Sequence, residues 1–158
     1  MNHREITNYV GRDRLRLEAY LDAEGHIAIP DGLTLTGAVT ATIADLGDTA
    51  GYRYLDYGPG GQPTPVEVTW TRFGVRLRAV AARLQQVSAA GDRVAVLAPQ
   101  GVEYVIGFFA AIAAGTVAVP LFAPELPGQA ERLAAVLADA EPAVVLTTTA
   151  AADRSEER

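Results

Sequence analysis

From Gly91 onward, short apolar runs alternate with longer stretches of helical spacing, and no other feature of the chain limits its fold as tightly. Arg93-Val94-Ala95-Val96-Leu97-Ala98 is a strand-length run that Pro99 stops. A very apolar helix is predicted over residues 102–114, with Gly115 as its cap. The pattern then repeats: a strand over Val117-Ala118-Val119-Pro120, a helix from about 129 to 139 burying Leu133, Val136 and Leu137, and a strand over Val144-Val145-Leu146-Thr147. Strands that are apolar throughout and alternate with helices imply a parallel sheet covered on both faces. Residues 152–158 read as the start of one more helix, so the repeat is interrupted rather than completed.

Ahead of this alternation the periodicity differs. Leu35, Val39, Ile43 and Leu46 recur at spacings of four, four and three, which predicts an amphipathic helix over residues 33–46 with Asp31 or Thr34 as its cap. Tyr52-Arg53-Tyr54-Leu55-Asp56-Tyr57 and Val66-Glu67-Val68-Thr69-Trp70 are rich in aromatic and β-branched residues, and a Gly- and Pro-rich segment over 58–65 joins them as a hairpin loop. Thr71 is the expected N-cap of a long helix whose buried stripe is Phe73, Leu77, Val80, Ala81, Leu84 and Val87, ended by Gly91. Residues 1–25 mix charges with few apolar positions. They form a peripheral arm with a short helix near 12–21 and a turn at Glu24-Gly25, leaving 26–158 as the folded part. The fold class is therefore α/β: an N-terminal helix and β-hairpin followed by a partial, helix-flanked parallel sheet.

At 158 residues the chain has room for about one domain, which can bury roughly 70% of its unfolded surface. It contains no cysteine, and only His3 and His26 offer imidazole, so thiolate chemistry and cysteine zinc sites are excluded. All 13 basic residues are arginine and the formal charge is -6, a balance that argues against a nucleic-acid partner. The first ten residues lack the apolar core of a secretory signal, which sets a cytoplasmic expectation. Residues 105–124 carry no charge over a length that would span a bilayer. Gly107, Gly115, Pro120 and Pro124 interrupt that run, so a buried helix and strand are expected instead of a membrane span.

Several residues invite a chemical reading. Gly58-Pro59-Gly60-Gly61 lies between two hairpin strands, where it makes a turn rather than a phosphate cradle. Ala98-Pro99-Gln100-Gly101 is better placed, after a strand and before a helix, but lacks the Gly-x-Gly-x-x-Gly spacing of a dinucleotide site. Thr147-Thr148-Thr149 follows a strand too, and its hydroxyls suit either an anion or a helix cap. No spacing brings Asp45 or Asp48 together with Glu103 or Asp139 as an acid pair, so these are read as solvated faces. Tyr52, Tyr54, Tyr57 and Trp70 suit cross-strand packing. Phe108 and Phe109 fit a core helix or the wall of an apolar tunnel.

The local readings converge on a family pattern. Gly91-Asp92-Arg93-Val94-Ala95-Val96-Leu97-Ala98-Pro99-Gln100, then Glu103-Tyr104-Val105, then Phe108 to Leu121 with its Gly115-Thr116-Val117-Ala118-Val119-Pro120 turn and strand, resemble the N-terminal region of the AMP-forming acyl ligases. Tyr52 to Tyr57 before Val68-Thr69-Trp70, and Pro120-Leu121-Phe122-Ala123-Pro124-Glu125-Leu126-Pro127-Gly128 followed by Arg132-Leu133 and Leu146-Thr147-Thr148-Thr149, are similar to the fatty acyl-AMP ligases among them. The likeness is to actinobacterial members that activate long-chain acids for polyketide synthases, including those of mycolic acid assembly. It runs from about Gly25 to Ala151.

The resemblance implies only the opening part of a larger adenylation enzyme. In that family the phosphate loop ending in Pro-Lys, the aromatic adenine motif, the Tyr-x-Thr-Gly-Asp segment and a C-terminal lysine lie downstream. ATP and magnesium are the cofactors implied for the full-length enzyme, with none expected on this chain alone. The implied partners are the remainder of the enzyme, a fatty acid, and an acyl carrier protein or polyketide synthase. No catalytic, cofactor-binding or metal-binding residue is assigned, and substrate-binding residues stay unassigned. At most the Phe108-Phe109 helix would line an acyl tunnel. The alternative is a stand-alone, non-catalytic interaction module derived from the same subdomain.

Overall fold

The computed structural model describes residues 20–29, 33–57, 61–121, 129–149 and 152, and the chain divides between Gly37 and Ala38 into two units. In the first unit, Leu21 and Ile27 form an antiparallel bridge around a turn. Asp22 Oδ1 closes it by accepting the backbone N–H of Glu24 at 3.0 Å and of His26 at 2.8 Å, an Asx turn in which Gly25 takes φ 82°. The turn expected at Glu24-Gly25 is therefore present. The short helix expected near 12–21 lies outside the described residues apart from its last two positions.

Helix α1 is Leu35–Leu46. Thr34 caps it, its Oγ1 accepting Gly37 N–H at 3.0 Å, while the alternative cap Asp31 lies outside the described residues. In the second unit, α1 contributes Val39 and Ile43 to the edge of the core. No residue of α1 is fully buried.

Strands β1, Ala50–Tyr57, and β2, Pro63–Thr69, form an antiparallel hairpin. β2 begins three residues earlier than expected and stops before Trp70. Prolines are tolerated at Pro63 and Pro65 because this strand is an edge, where one side of the backbone needs no donor. The register slips at Gly51, and a Cβ there would stand 2.8 Å from Trp70 Cδ2. This glycine thus lets the strand bulge against a flat indole ring.

Helix α2 is Trp70–Val87, and its cap is Thr69 rather than Thr71: the Thr69 hydroxyl accepts Arg72 N–H at 3.2 Å. Trp70 N–H and Thr71 N–H donate to Thr49 and Gly47 carbonyls at 3.2 and 2.9 Å, so the chain is already turning at Trp70. That is why the helix starts two residues sooner. It buries Phe73, Gly74, Leu77, Ala81 and Leu84, but Val87 is 45% exposed because the helix ends beside it. Ser88, not Gly91, closes the last turn; Gly91, at φ 86°, then reverses the chain toward the next strand.

β3 (Arg93–Leu97), α3 (Val102–Ala113), β4 (Val117–Leu121), α4 (Gln129–Ala140) and β5 (Val144–Leu146) complete the described elements. The three strands are parallel in the order β4-β3-β5. Gly115 takes φ 84° and lets α3 turn directly into β4. Thr116, buried in that turn, donates its hydroxyl to Ala111 O at 2.7 Å, which removes the penalty of an unpaired polar group.

Only β3 meets the expectation of a strand covered on both faces, with Val94, Ala95 and Val96 at 0–1% exposure. Val117 of β4 and Val145 of β5 remain 52% and 48% exposed, because both strands are edges of a three-stranded sheet. α4 also departs from the expected burial: Leu133 and Leu137 are half-buried and Val136 is exposed, since so narrow a sheet cannot cover the helix. Beyond β5, Ala152 N–H donates to Thr148 O at 2.9 Å; the helix start expected over 152–158 lies outside the described residues apart from Ala152.

The uncharged run from 105 onward is split by the Gly115 turn between α3 and β4, and its last three residues lie outside those described. Among the described residues no helix is long and apolar enough to cross a membrane.

Candidate functional site

In open parallel sheets the carboxyl ends of the strands face the crevice where ligands bind. Here that end opens into a cleft of about 260 Å³. Its floor is apolar, made by Val80, Val96, Ala98, Ile106 and Leu146, and it closes where α3 crosses the sheet at Gly107. A Cβ on Gly107 would stand 2.8 Å from Leu146 Cδ2 and 3.3 Å from Val96 Cγ1, so helix and sheet approach closely only because this side chain is missing.

The rim is polar. Arg76, from the outer turns of α2, donates Nη2–H to Glu103 Oε1 at 3.0 Å across the mouth. The hydrogen bond from Arg76, reinforced by its positive charge and opposed by partial desolvation, holds the Glu103 carboxyl below the usual 4.5. Thr147, Thr148 and Thr149 complete the rim where β5 gives way to the next helical turn.

Sequence reading singled out the three threonines and Ala98, and the structure brings them to one cleft. It missed the ion pair. Arg76 and Glu103 are 27 positions apart on different helices, and no local spacing marks such a pair. Glu103 is thus engaged by a cation rather than by another acid. Gly101, one of the loop residues considered, is the N-cap of α3 without any side-chain bond.

Phe108 and Phe109 do not line the cleft. Phe109 sets its edge against Phe73 at 6.1 Å and 76°, and Phe108 packs on Phe109 at 5.6 Å and 83°. Tyr52 stacks on Phe73 at 6.3 Å and 8°, with Trp70 edge-on to the same ring at 5.9 Å and 78°. The hairpin aromatics therefore divide. Tyr52 packs on Phe73 of α2, and Trp70, the first residue of that helix, meets the same ring, whereas Tyr57 is 65% exposed.

The residues of this cleft do not fit a nucleoside triphosphate with its magnesium. Its one carboxylate and one guanidinium already neutralise each other, and among the described residues no three His, Asp or Glu side chains converge as a ligand set. What the arrangement offers is an apolar trough with a neutralised polar lip.

A family model for AMP-binding enzymes matches residues 51–158, which takes in the hairpin, α2 and the whole parallel sheet. The chain belongs to the AMP-binding enzyme family. This AMP-binding chain is 47% identical over 130 residues to a long-chain-fatty-acid–AMP ligase of Mycolicibacterium smegmatis, covering 82% of the chain and 21% of that protein. A long-chain-fatty-acid–AMP ligase of Mycobacterium marinum is 43% identical over 129 residues, covering 82% of the chain and 20% of the relative. Among solved structures, a fatty acid AMP ligase from Legionella pneumophila superposes with a TM-score of 0.67 at 21% identity, over 73% of this chain and 20% of that one. A fatty acyl-adenylate ligase structure from work on the E. coli and L. pneumophila enzymes gives 0.61 at 32% identity, over 75% and 21%. The AMP-binding chain thus spans about a fifth of the length of these relatives, and its fold is that of a partial N-terminal subdomain of the adenylate-forming ligases.

Proposed function

We propose that this chain is the N-terminal scaffold of a ligase that activates a long-chain fatty acid with ATP and passes the acyl group to an acyl carrier protein, and that it is not competent alone. Residues 26–158 form part of the adenylation subdomain and residues 1–25 a peripheral arm. In the proposed reaction the fatty acid carboxylate attacks the α-phosphate of ATP, releasing pyrophosphate and forming acyl-AMP. The thiol of the carrier, or of a polyketide synthase, then takes the acyl group and AMP leaves. ATP and magnesium bind the full-length enzyme, in the cytoplasm.

The observation that carries this reading is the 47% identity sustained over 130 residues with a long-chain-fatty-acid–AMP ligase of which those residues are 21%. Chemistry supports the second half of the proposal. Attack on the α-phosphate builds negative charge that such enzymes offset with cations and aligned donors. The chain has no lysine, and the arginine at its cleft is already paired.

The test is the mass of the native product, by immunoblot with an antibody raised against residues 1–158. A band far above 16.6 kDa, from a protein that forms fatty acyl-AMP, supports the ligase reading. A band at 16.6 kDa, from a soluble, monodisperse protein that binds no ATP, would replace it with the stand-alone interaction module.

A further inference from the structure

Charge is unevenly distributed along this acidic chain. The net charge is -6, yet α2 carries Arg72, Arg76, Arg78 and Arg83 and no acidic residue. At about 100° per residue, Arg72, Arg76 and Arg83 lie within about 40° of one another on the helix circumference. All three are exposed, and Ala79 lies among them on the same strip. Val75, on one margin, is 56% exposed. The opposite side of the helix is the buried stripe of Phe73, Leu77, Ala81 and Leu84. A basic, low-relief ridge thus runs along a helix whose opposite stripe faces the core.

Only part of that charge is satisfied internally. Arg76 is held by Glu103, and Arg83 donates to the neutral Gln86 at 3.0 Å. Arg72 makes no ion pair among the described residues. With Arg76 paired, Arg72 and Arg83 are the guanidinium groups of the strip that meet no carboxylate among the described residues, so the ridge is stabilised by any surface that brings carboxylates to them.

We infer that the outer face of α2, centred on Arg72, Ala79 and Arg83, is a docking surface for a carboxylate-bearing helix of a protein partner. Resting on the ligase reading, the occupant is the acyl carrier protein. The small side chain of Ala79 lets a helix approach closely, while the flanking guanidinium groups fix its register through charge-assisted bonds. A lipid surface suits this face poorly, because membrane-binding helices insert an apolar side and the apolar stripe of α2 faces the core. Nucleic acid suits it no better, since the basic strip is confined to one helix of a net acidic chain.

The test is a titration of the isotope-labelled chain with a purified acyl carrier protein at low ionic strength, followed by amide shifts. The expected result is saturable perturbation confined to α2 around Arg72, Ala79 and Arg83, weakened by added salt. The double variant Arg72→Glu with Arg83→Glu should lose at least roughly tenfold in affinity, about 1.4 kcal/mol. The neutral pair Arg72→Gln with Arg83→Gln, checked for unchanged circular dichroism, should lose less. Arg132→Glu on α4 should bind as the parent does. Perturbations elsewhere, equal weakening by Arg132→Glu, or preferential binding to vesicles of anionic phospholipid would overturn the assignment. The two proposals separate: a full ligase that makes acyl-AMP yet charges the carrier equally well with both arginines reversed retains its function and refutes this face.

Discussion

Arg76 Nη2 lies 3.0 Å from Glu103 Oε1, tying the outer face of α2 to the first turn of α3 across the mouth of the cleft. The bond lowers the Glu103 pKa below 4.5, so folding stabilises the charged carboxylate relative to the unfolded chain. The contribution is therefore complete above the ordinary carboxylate value and lost as pH falls through the depressed one. Both side chains are about half exposed, so solvent screening holds the effect to ~0.2–1 kcal/mol. Urea titrations of the parent and of Glu103→Gln should differ by that amount at neutral pH and converge on the acid side of 4.5. A difference that persists unchanged at low pH would mean the pair contributes nothing through charge.

Phe73 is the point where three elements meet. It is 1% exposed, with Tyr52 stacked on it and the Trp70 and Phe109 rings contacting it edge-on. Phe73→Ala should cost ~3–5 kcal/mol, read as a shift in urea midpoint with little change in slope. Trp70 is the only tryptophan, so its emission should shift in the folded variant as the neighbouring ring is removed. A loss below ~1 kcal/mol would show that the hairpin and α3 pack on α2 without this ring.

Gly51 tests a different constraint. Three Trp70 ring atoms would lie 2.8, 3.0 and 3.1 Å from a Cβ at this position. An indole cannot yield one atom at a time, so Gly51→Ala must displace the whole ring or the bulge. The expected loss is ~1–3 kcal/mol, measured by thermal or urea unfolding. Stabilisation would mean that the bulge relaxes freely and that glycine sits there for another reason.

Much of this architecture was legible because it rests on local signals. The alternation after Gly91 located β3, α3, β4, α4 and β5 within a residue or two, and the apolar character of the strands implied one parallel sheet. Caps were less legible: Thr71 is the expected one, and Thr69 takes its place because the Thr49 and Gly47 carbonyls fix where the chain turns. Burial of Leu133, Val136 and Val87 was misread for a related reason. Periodicity reports which face is apolar, whereas exposure depends on how wide a sheet is available to cover it. At the candidate site, the threonines were visible as residues following a strand. The Arg76–Glu103 pair was not, because two exposed side chains on separate helices leave no periodic trace.

Gly107 sets the spacing between α3 and the sheet, and two substitutions there separate sterics from helix preference. Gly107→Ala gains up to ~1 kcal/mol of intrinsic helix stability. Its new methyl meets Leu146 Cδ2 at 2.8 Å, the free end of a flexible side chain in short, half-exposed β5, and Val96 Cγ1 at 3.3 Å. Those contacts offset the gain, and the net change should be near zero. Gly107→Val adds two more methyl groups against β3, whose Val96 is fixed by burial at 1% exposure and cannot retreat. It should cost ~1–3 kcal/mol. Hydrogen exchange at Val144 to Leu146 should also accelerate more than at Val94 to Val96, because β5 is the edge strand and yields first. If the valine variant is as stable as the parent, with β5 protection intact, helix and sheet are not in the close contact that defines the cleft floor.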